Sequence, residues 1–293
     1  MLILLSDAFD KSLPGKLKRF GDVTDDKGKV AEAEVVLIRS KTKVTKEYID
    51  GAPKLKLVIR GGVGLDNVDQ VYAKTKGIKV FNTAAASSIA VAELAMAMMM
   101  AMPNHIVAGH NSMKEGQWLK KELKRTELYQ KTLGILGIGR IGTEIAERAK
   151  AFGMKVIAYD PFVKSHKLAE MKGSVKDVLK ESDYISLNMP LTDDTKGMLN
   201  KDTLKDLKDG ARIVNTGRGK CVIEQDIVDA LKSGKLAGYA TDVWYSDPPE
   251  NSPLVNAPNV LMLPHIGAST NENLLRIGDI IEELLGKYVK NEL

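Results

Sequence analysis

The chain has little of several residue types, and each shortage excludes a class of protein. It has one cysteine in 293 residues, so an internal disulfide is excluded and no metal site built on thiolates is expected. Aromatic residues make up only 5%, and there is no aromatic platform, arginine-rich arm or zinc-finger spacing, so we expect no nucleic-acid partner. The net charge of +5 comes from lysines interleaved with acids, as on a solvated surface.

The sequence is also expected to contain neither a membrane-spanning hydrophobic run nor a leader peptide. Its most apolar stretch, residues 89–102, is short and contains Glu93, so no membrane-spanning segment is expected. Residues 1–7 have neither a basic start nor a small-residue cleavage site, and they are typical of a first β-strand. A cytoplasmic location is therefore expected.

What the chain does contain is an alternation of apolar strand-like runs and helical patterns, which is typical of parallel α/β layers. Its length favours two domains. Long helices are predicted from about residue 88 to 102 and over residues 271–293. Strands are predicted at residues 2–5, 35–38, 58–60, 80–81, 132–136, 155–159, 184–187, 212–215, 238–242 and 260–263.

A glycine-rich turn follows the first strand of the second part. Gly137, Gly139 and Gly142 form a Gly-x-Gly-x-x-Gly motif between an apolar strand and a helical pattern. Such glycines permit a tight turn, let the backbone approach a pyrophosphate and let the helix pack on the strand. Asp160 ends the next strand, where an acid that binds a ribose is expected, and its charge would repel the extra phosphate of NADP. The motif therefore predicts NAD as the cofactor.

Hydride transfer to or from an oxygen-bearing carbon needs a proton donor and a cation that polarises the oxygen. Of the four histidines, His166 is expected to be exposed in a polar loop, and His105 and His110 to be structural. His265 alone follows a strand of the predicted cofactor sheet, and Arg218 follows another such strand between two glycines. These two are the candidate acid/base and cation; the alternatives are a polar strand cap and a surface arginine in a turn.

Five ordered segments resemble the D-isomer-specific 2-hydroxyacid dehydrogenase family. They are Arg60-Gly-Gly-Val-Gly-Leu-Asp-Asn-Val-Asp69, the glycine motif with Asp160, Asn215-Thr-Gly-Arg-Gly219, Asp242-Val-Trp-Tyr-Ser-Asp-Pro248 and Pro264-His-Ile-Gly-Ala-Ser-Thr270. The resemblance covers essentially the whole chain. It implies an α/β fold in which a Rossmann-type doubly wound parallel sheet is inserted in a smaller flavodoxin-like domain. The substrate-binding domain would be residues 1–98, the NAD-binding domain 99–267, and 268–293 a helix returning to the substrate domain.

The resemblance also implies roles for individual residues. Arg218 corresponds to the arginine that binds the substrate carboxylate and polarises its carbonyl, His265 to the general acid/base, and Asp247 to the carboxylate that hydrogen-bonds the histidine. Asp242 corresponds to a residue that holds the nicotinamide carboxamide. The implied cofactor contacts are Gly137, Gly139, Arg140, Ile141, Gly142, Asp160, Pro190, Thr195, Thr216, Gly217, Asp242, Gly267 and Ala268. For Arg140 the alternative is a side chain that reaches only solvent. The implied substrate contacts are Arg60, Gly61, Gly62, Val63 and Gly64 with Arg218 and His265.

Two positions depart from the family pattern Asp-Val-Phe-x-x-Glu-Pro and its surroundings. Asp247 stands where the family usually has glutamate, so its contact with His265 is expected to need a backbone shift or a water. Asn188 stands where histidine often stands, which is expected to perturb cofactor packing. Because the chain ends at Leu293, we expect no C-terminal regulatory domain.

The expected function is NAD-dependent oxidation of a D-2-hydroxy acid, with 3-phosphoglycerate as the substrate and serine biosynthesis as the setting. Candidate phosphate contacts are Arg60, Arg39 and Lys120. The alternatives are a glyoxylate/hydroxypyruvate or broader 2-keto acid reductase and, in another class, an NAD-sensing binding protein of the corepressor type. By resemblance, the methionine-rich helix near residues 90–102 lies at the interface of a homodimer or tetramer.

Overall fold

The computed structural model describes all 293 residues, which divide into two compact units. Unit 1 comprises Met1–Ala90 and Ala268–Leu293, and unit 2 comprises Val91–Gly267. The chain thus builds most of unit 1, then the whole of unit 2, and returns to unit 1 for its last helix.

Unit 1 is built on a five-stranded sheet in which every pair of neighbours is parallel. Its spatial order, β2-β1-β3-β4-β5, is the flavodoxin-like order that was predicted. All four residues of β3 are buried, as expected for a parallel strand covered on both faces. The strands are β1 (Leu2–Leu5), β2 (Asp22–Thr24), β3 (Val35–Ile38), β4 (Leu57–Arg60) and β5 (Lys79–Asn82).

Short helices connect these strands, and the C-terminal helix completes the core of the unit. The connecting helices are α1 (Leu13–Leu17), a 3₁₀ helix (Lys27–Glu32), α2 (Lys46–Asp50) and α3 (Gln70–Thr75). The last helix of the chain, α9 (Asn271–Val289), ends four residues before its predicted end. Its residues Ile277, Ile281 and Leu285 are fully buried in one cluster with Leu13 and Leu17 of α1. Residues 268–293 are therefore part of the core of unit 1.

The long helix α4 (Ala84–Ala101) starts four residues before its predicted start. The division between the units lies within this helix, between residues 90 and 91, whereas the predicted domain boundary was between residues 98 and 99. With 18 residues and a mean hydropathy of 1.6, it is long and apolar enough to cross a membrane by length and composition. The expectation that no segment reaches that length was therefore wrong. However, 56% of this window is buried, and Ala92, Ala95 and Met99 lie in a hydrophobic cluster, which is the packing of a core helix.

Unit 2 is built on a seven-stranded parallel sheet in the order β12-β11-β10-β9-β6-β7-β8. Counted within the unit, this is the Rossmann order 3-2-1-4-5-6 with a seventh strand added, which confirms the predicted fold. The order reverses between β6 and β9, and ligands of such sheets bind at the carboxyl ends beside this reversal. The strands are β6 (Thr132–Leu136), β7 (Lys155–Tyr159), β8 (Glu170–Met171), β9 (Tyr184–Leu187), β10 (Ala211–Asn215), β11 (Leu236–Thr241) and β12 (Val260–Met262).

Helices cover both faces of this sheet, so neighbouring residues of one strand enter different cores. In β10, Ile213 belongs to one hydrophobic cluster and Val214 to the other, as the two-residue period of a strand requires. The helices are α5 (Ile106–Lys114), α6 (Arg140–Ala151), α7 (Val175–Glu181) and α8 (Glu224–Lys232), with 3₁₀ helices at Leu204–Asp206, Gly219–Cys221 and Pro253–Asn256.

Candidate active site

The glycine motif forms the turn between β6 and α6. Gly137 has a φ of +88°, a left-handed conformation that glycine adopts without strain. A Cβ at position 142 would lie 2.4 Å from the Gly137 carbonyl oxygen, so only glycine lets α6 pack this closely on the turn. Gly139 precedes the first residue of α6, and a Cβ there would meet nothing within 4 Å. The backbone at Gly139 is thus open to a ligand.

Asp160 follows β7 and holds the same turn. Its Oδ2 atom accepts a hydrogen bond from the Ile138 amide at 3.0 Å, and its Oδ1 atom accepts one from the Phe162 amide at 3.0 Å. Each oxygen keeps a further lone pair with which a ribose hydroxyl can bond. In the first turn of α6, the side chain of Arg140 is exposed and that of Ile141 is half-buried.

The carboxyl end of β10 holds a polar atom that lacks a partner. Thr216 is 8% exposed, and its Oγ1 atom is buried with no hydrogen bond. A Cβ at Gly217 would lie 2.9 Å from the Leu187 carbonyl oxygen, so the chain turns directly against the end of β9. The unpaired hydroxyl, the open backbone at Gly139 and the uncapped start of α6 fit a dinucleotide with its pyrophosphate.

The predicted cofactor residues Pro190 and Thr195 lie in one turn after β9. The Thr195 hydroxyl donates to the Pro190 carbonyl at 2.7 Å. Asn188, the departure from the family pattern, bonds its own strand through Ser186. The side-chain amide of Asn188 therefore lies beside this turn, and its hydrogen bonds are made to Ser186 of the same strand.

Arg218 lies three residues beyond the end of β10, and its turn is held by a buried amide. The Asn215 side chain donates to the Arg218 carbonyl at 3.1 Å and accepts from the Gly217 amide at 3.1 Å. Asn215 also donates to the buried hydroxyl of Tyr239 at 3.1 Å. The sequence did not single out Asn215 as a functional residue, although an asparagine at the end of an apolar strand, directly before Thr-Gly-Arg-Gly, is a signal for such a role.

His265 lies three residues beyond β12, and its imidazole bonds Asp247 directly. The Nδ1 atom of His265 is hydrogen-bonded to the Oδ2 atom of Asp247, so of the two expected ways to bridge the shorter carboxylate, a backbone shift or a water, the water is not needed. The Nε2 atom has no partner within the protein. The His265 backbone has a φ of +57°, which is unfavourable for a residue other than glycine.

Asp242 directly follows β11 and holds the turn behind His265. It is 2% exposed, its Oδ1 atom accepts from the Ile266 amide at 2.8 Å, and its Oδ2 atom accepts from the Gly267 amide at 2.7 Å. Burial raises the pKa of this carboxyl, while the two backbone donors act in the opposite direction. A nicotinamide carboxamide would donate to the lone pairs of the Asp242 oxygens that these two amides leave free.

These groups come together because their strands are neighbours. Asn215 is in register with Thr241, and Thr241 with Met262, across β10, β11 and β12. The carboxyl ends of parallel strands share one edge, and neighbouring strands lie about 4.8 Å apart. Arg218 and His265 therefore leave the same edge of the sheet, two strands apart.

The predicted substrate loop, Gly61 to Gly64, follows β4 in unit 1, and its carbonyl groups are engaged. The Gly62 carbonyl accepts from the Thr83 amide at 3.2 Å, the Val63 carbonyl from the Asn82 side chain at 2.5 Å, and the Gly64 carbonyl from Arg60. The amides of Val63 and Gly64 have no partner within the protein. The loop is held so that two N–H donors stay available to an anion.

The candidate phosphate contacts differ in how they are engaged. Arg60 bonds the Gly64 and Arg39 carbonyls, so it holds the loop. Arg39 is half-buried with an unpartnered Nε atom, and burial lowers the pKa of its guanidinium. Lys120 is exposed in unit 2. Arg39 is thus the incompletely paired cation at this edge of the unit 1 sheet.

The remaining predictions fall elsewhere. His166 is half-buried and not exposed as expected, because its Nε2 atom bonds the Thr143 hydroxyl at 3.2 Å beside the glycine turn. His105 bonds the Lys124 carbonyl, and His110 is exposed. Of the last two predicted cofactor residues, Gly267 ends unit 2 and Ala268 begins the returning segment of unit 1.

Comparison with known proteins gives concordant results. A family model described as "D-isomer specific 2-hydroxyacid dehydrogenase, NAD binding domain" matches residues 96–267. The chain is 45% identical over 259 residues to a hydroxypyruvate reductase of Thermotoga maritima, covering 87% of this chain and 85% of that protein. It is 40% identical over 304 residues to a D-3-phosphoglycerate dehydrogenase of Methanocaldococcus jannaschii, covering 99% of this chain and 58% of that protein.

A solved structure agrees with these relatives. The NAD-dependent formate dehydrogenase from Staphylococcus aureus in complex with NAD superposes with a TM-score of 0.88 at 31% identity, covering 100% of this chain and 97% of that one. The chain spans only 49% to 58% of the length of the phosphoglycerate dehydrogenases compared with it.

Proposed function

The chain belongs to the D-isomer-specific 2-hydroxyacid dehydrogenase family, and we propose that it transfers a hydride between NAD and C2 of a D-2-hydroxy acid. The observation that carries this proposal is the direct contact between His265 and Asp247, at the strand edge that also presents Arg218. We assign cofactor binding to unit 2, where the glycine turn, Asp160 and the buried Thr216 hydroxyl fit a dinucleotide.

In this proposal each protein group has one task, while NAD supplies the hydride acceptor. During oxidation, the free Nε2 atom of His265 takes the proton of the substrate hydroxyl, and in reduction it returns that proton. The Asp247 carboxylate stabilises the imidazolium, because an adjacent negative charge favours the charged form. Arg218 binds the carboxylate and polarises the C2 oxygen with its planar guanidinium. Within unit 1, we assign anion binding to the amides of Val63 and Gly64, which have no partner within the protein.

For the substrate we propose 3-phosphoglycerate, oxidised to 3-phosphohydroxypyruvate. Relatives named D-3-phosphoglycerate dehydrogenase match at 38% to 41% identity, and Arg39 is an incompletely paired cation close to Gly61. The second candidate is a hydroxypyruvate reductase, favoured by the 45% identity to the Thermotoga maritima protein. A guanidinium that binds phosphate distinguishes the two, because glycerate and hydroxypyruvate carry no phosphate.

Parallel assays of NAD reduction with 3-phosphoglycerate, D-glycerate and D-lactate test this choice. We expect kcat/KM for 3-phosphoglycerate to exceed that for glycerate by at least about tenfold, the effect of one charge-assisted contact. A preference for glycerate would favour the reductase. NAD binding without turnover of any of the three acids would favour a sensing protein of the corepressor type.

The role of Arg39 can be tested within the same assay. Arg39→Gln should lower kcat/KM for 3-phosphoglycerate and leave that for glycerate within about twofold, because only the phosphorylated substrate needs the cation. Arg19→Gln is the matched control, since Arg19 is 63% exposed and pairs with Glu282 of α9. Equal losses for both substrates in Arg39→Gln would assign Arg39 to the fold of the loop.

We also propose that the chain forms a homodimer through the end of α4 and through α5. Four large apolar side chains are exposed there: Met100 (38%), Ile106 (59%), Val107 (51%) and Met113 (57%). Such a patch is typical of an interface between protein chains. Ile106→Glu should therefore lower the mass measured by light scattering to that of a monomer. Val71→Glu, at an isolated residue that is 79% exposed in α3, should leave the mass unchanged.

No part of this proposal requires a nucleic acid, a membrane or a metal ion. The cytoplasmic location remains a prediction from the sequence. An unchanged mass in Ile106→Glu would remove the proposed dimer surface without affecting the proposed reaction.

A further inference from the structure

Trp244 contacts both segments that carry the proposed reacting groups. It lies three residues beyond β11, the strand between those that lead to Arg218 and His265. Its backbone packs so closely on Gly219 that a Cβ at position 219 would lie 2.4 Å from the Trp244 carbonyl oxygen. Its indole Nε1–H donates to the Leu263 carbonyl at 3.0 Å. The hydrogen bond is thus made two residues before His265.

Trp244 and Asp247 belong to the same segment, Asp242-Val-Trp-Tyr-Ser-Asp-Pro248. A phenylalanine at position 244 would have no N–H and could not bond the Leu263 carbonyl. Aspartate is one methylene shorter than glutamate, so its carboxylate reaches less far from the backbone. The imidazole of His265 is nevertheless bonded directly by Asp247.

The backbone around His265 shows why such a tether matters. A φ of +57° is unfavourable for histidine, so the conformation lasts only while the neighbouring residues are held. Asp242 holds the following residues, Ile266 and Gly267, through their amides. The indole of Trp244 holds the carbonyl of Leu263, two residues before His265. His265 is therefore fixed from both sides by side chains that leave the end of β11.

We propose that Trp244 is a positioning residue that sets the His265 segment within reach of the shortened carboxylate of Asp247. Without the indole N–H, the Leu263 amide stays bonded to the Thr241 carbonyl, but the Leu263 carbonyl and the residues after it move away from the segment that carries Asp247, and aspartate no longer reaches the imidazole. Glutamate, with one more methylene, reaches it in either case. The consequence for activity rests on the proposed role of His265, whereas the consequence for the Nδ1 hydrogen bond does not.

The charges near His265 do not offer an equivalent explanation. The carboxylates that act on it are Asp247, in direct contact, and Asp242, with which it interacts through space. Replacing Trp244 by phenylalanine changes neither of them and keeps an aromatic ring against the hydrophobic cluster of α8 and β11. An effect of Trp244→Phe would therefore come from geometry.

A double-mutant cycle tests the coupling. Trp244→Phe should lower kcat for 2-keto acid reduction about tenfold and leave the KM for NADH within about twofold. A loss in kcat without a change in KM is expected when only the position of His265 is disturbed. In the Trp244→Phe background, Asp247→Glu should restore kcat at least about fivefold, which two independent sites would not do. Trp118→Phe is the matched control, because the other tryptophan is 74% exposed. Equal effects of Trp244→Phe with aspartate and with glutamate at position 247 would overturn the proposal.

A readout without turnover separates this inference from the proposed function. In protein labelled with ¹⁵N-histidine, the Nδ1–H of His265 should give a downfield proton signal, identified by its loss in His265→Gln. The signal should broaden or disappear in Trp244→Phe and return in Trp244→Phe/Asp247→Glu. If no hydroxy acid is turned over, this result still supports the tether. An unchanged signal in Trp244→Phe would overturn it.

A variant that lacks only the indole N–H of Trp244 distinguishes loss of this hydrogen bond from a folding defect. In the Trp118→Phe background, biosynthetic replacement of tryptophan by benzothienylalanine changes only position 244 and replaces the indole N–H by sulfur. The ring keeps its size, so the thermal unfolding temperature should stay close to that of the Trp118→Phe protein. We expect the same loss of the Nδ1–H signal as in Trp244→Phe. Retention of the signal would show that ring packing, and not the hydrogen bond, positions His265.

Discussion

The Nδ1 atom of His265 is hydrogen-bonded to the Oδ2 atom of Asp247, 18 positions earlier in the chain. Both side chains are partly exposed, at 41% and 46%, so a substrate can approach them. In the neutral imidazole this bond keeps the proton on Nδ1, since a carboxylate only accepts. The lone pair of Nε2 is then free, and Nε2 is the nitrogen to which we assign proton transfer.

Replacement of the imidazole should remove most of the activity. His265→Ala should lower kcat for 2-keto acid reduction by NADH by about a hundredfold to ten-thousandfold, the usual effect of losing a general acid. NADH binding, followed by fluorescence titration, should stay the same. His110→Ala is the control, because His110 is exposed and lies outside the candidate site. Near-normal turnover in His265→Ala would show that the assignment is wrong.

Replacement of the carboxylate should slow the reaction without weakening cofactor binding. Asp247→Asn removes the negative charge beside His265, so the imidazolium that forms when the substrate hydroxyl is oxidised loses its stabilising partner. We expect kcat for hydroxy acid oxidation to fall at least about tenfold, while NADH binding, followed by fluorescence titration, stays the same. An unchanged kcat would remove Asp247 from the reaction.

Asp160 should determine the choice between the two nicotinamide cofactors. Asp160→Ala removes the charge that opposes the extra phosphate, so the ratio of kcat/KM for NADH to that for NADPH should fall at least about tenfold. The ratio is the readout, because Asp160 also holds the Ile138 and Phe162 amides and its loss weakens both cofactors. Asp209→Ala, at a carboxylate that is 89% exposed, should leave the ratio unchanged.

The unpaired hydroxyl of Thr216 should affect stability and binding in opposite directions. A buried polar group without a partner costs about 1–3 kcal/mol. Thr216→Val should therefore raise the free energy of unfolding of the ligand-free chain, and it should weaken NADH binding. Thr241→Val is the matched control with the opposite expectation, because the buried Thr241 hydroxyl donates to the Val243 carbonyl at 2.6 Å. A destabilised Thr216→Val would contradict the prediction.

The third glycine of the motif should tolerate no side chain. Gly142→Ala places a methyl group 2.4 Å from the Gly137 carbonyl oxygen, so it should cost about 1–3 kcal/mol of stability and disturb NADH binding. Gly15→Ala is the control, since it lies exposed in α1 with nothing within 4 Å of the added carbon. It should stabilise the chain by about 0.5–1 kcal/mol, as alanine favours a helix. Thermal unfolding of the two variants measures both effects.

The strands that were predicted are those with apolar runs. Leu2–Leu5, Val35–Ile38 and Thr132–Leu136 have the predicted bounds, because a strand buried on both faces of a parallel sheet leaves a continuous hydrophobic signal. Two strands were not predicted. Asp22–Thr24 and Glu170–Met171 lie at sheet edges and are partly exposed, so their residues carry no such signal.

The order of the motifs along the chain was enough to predict the family, the Rossmann sheet and NAD as the cofactor. It was also enough to place the candidate groups on one edge of the sheet in unit 2, because parallel strands end on the same side. His166 shows the limit of such reasoning. It was expected to be exposed in its polar loop, yet the fold brings it against Thr143 of α6.

The sequence by itself determined which chemical groups follow each strand: the glycine turn, Asp160, Arg218, Asp242 and His265. Only the tertiary structure decided how they meet. It showed that the short carboxylate of Asp247 reaches the imidazole directly and that Trp244 bonds the chain beside it. The physical reason is that these contacts depend on the turns after the strands and on the direction of single side chains. Neither property leaves a periodic signal in the sequence.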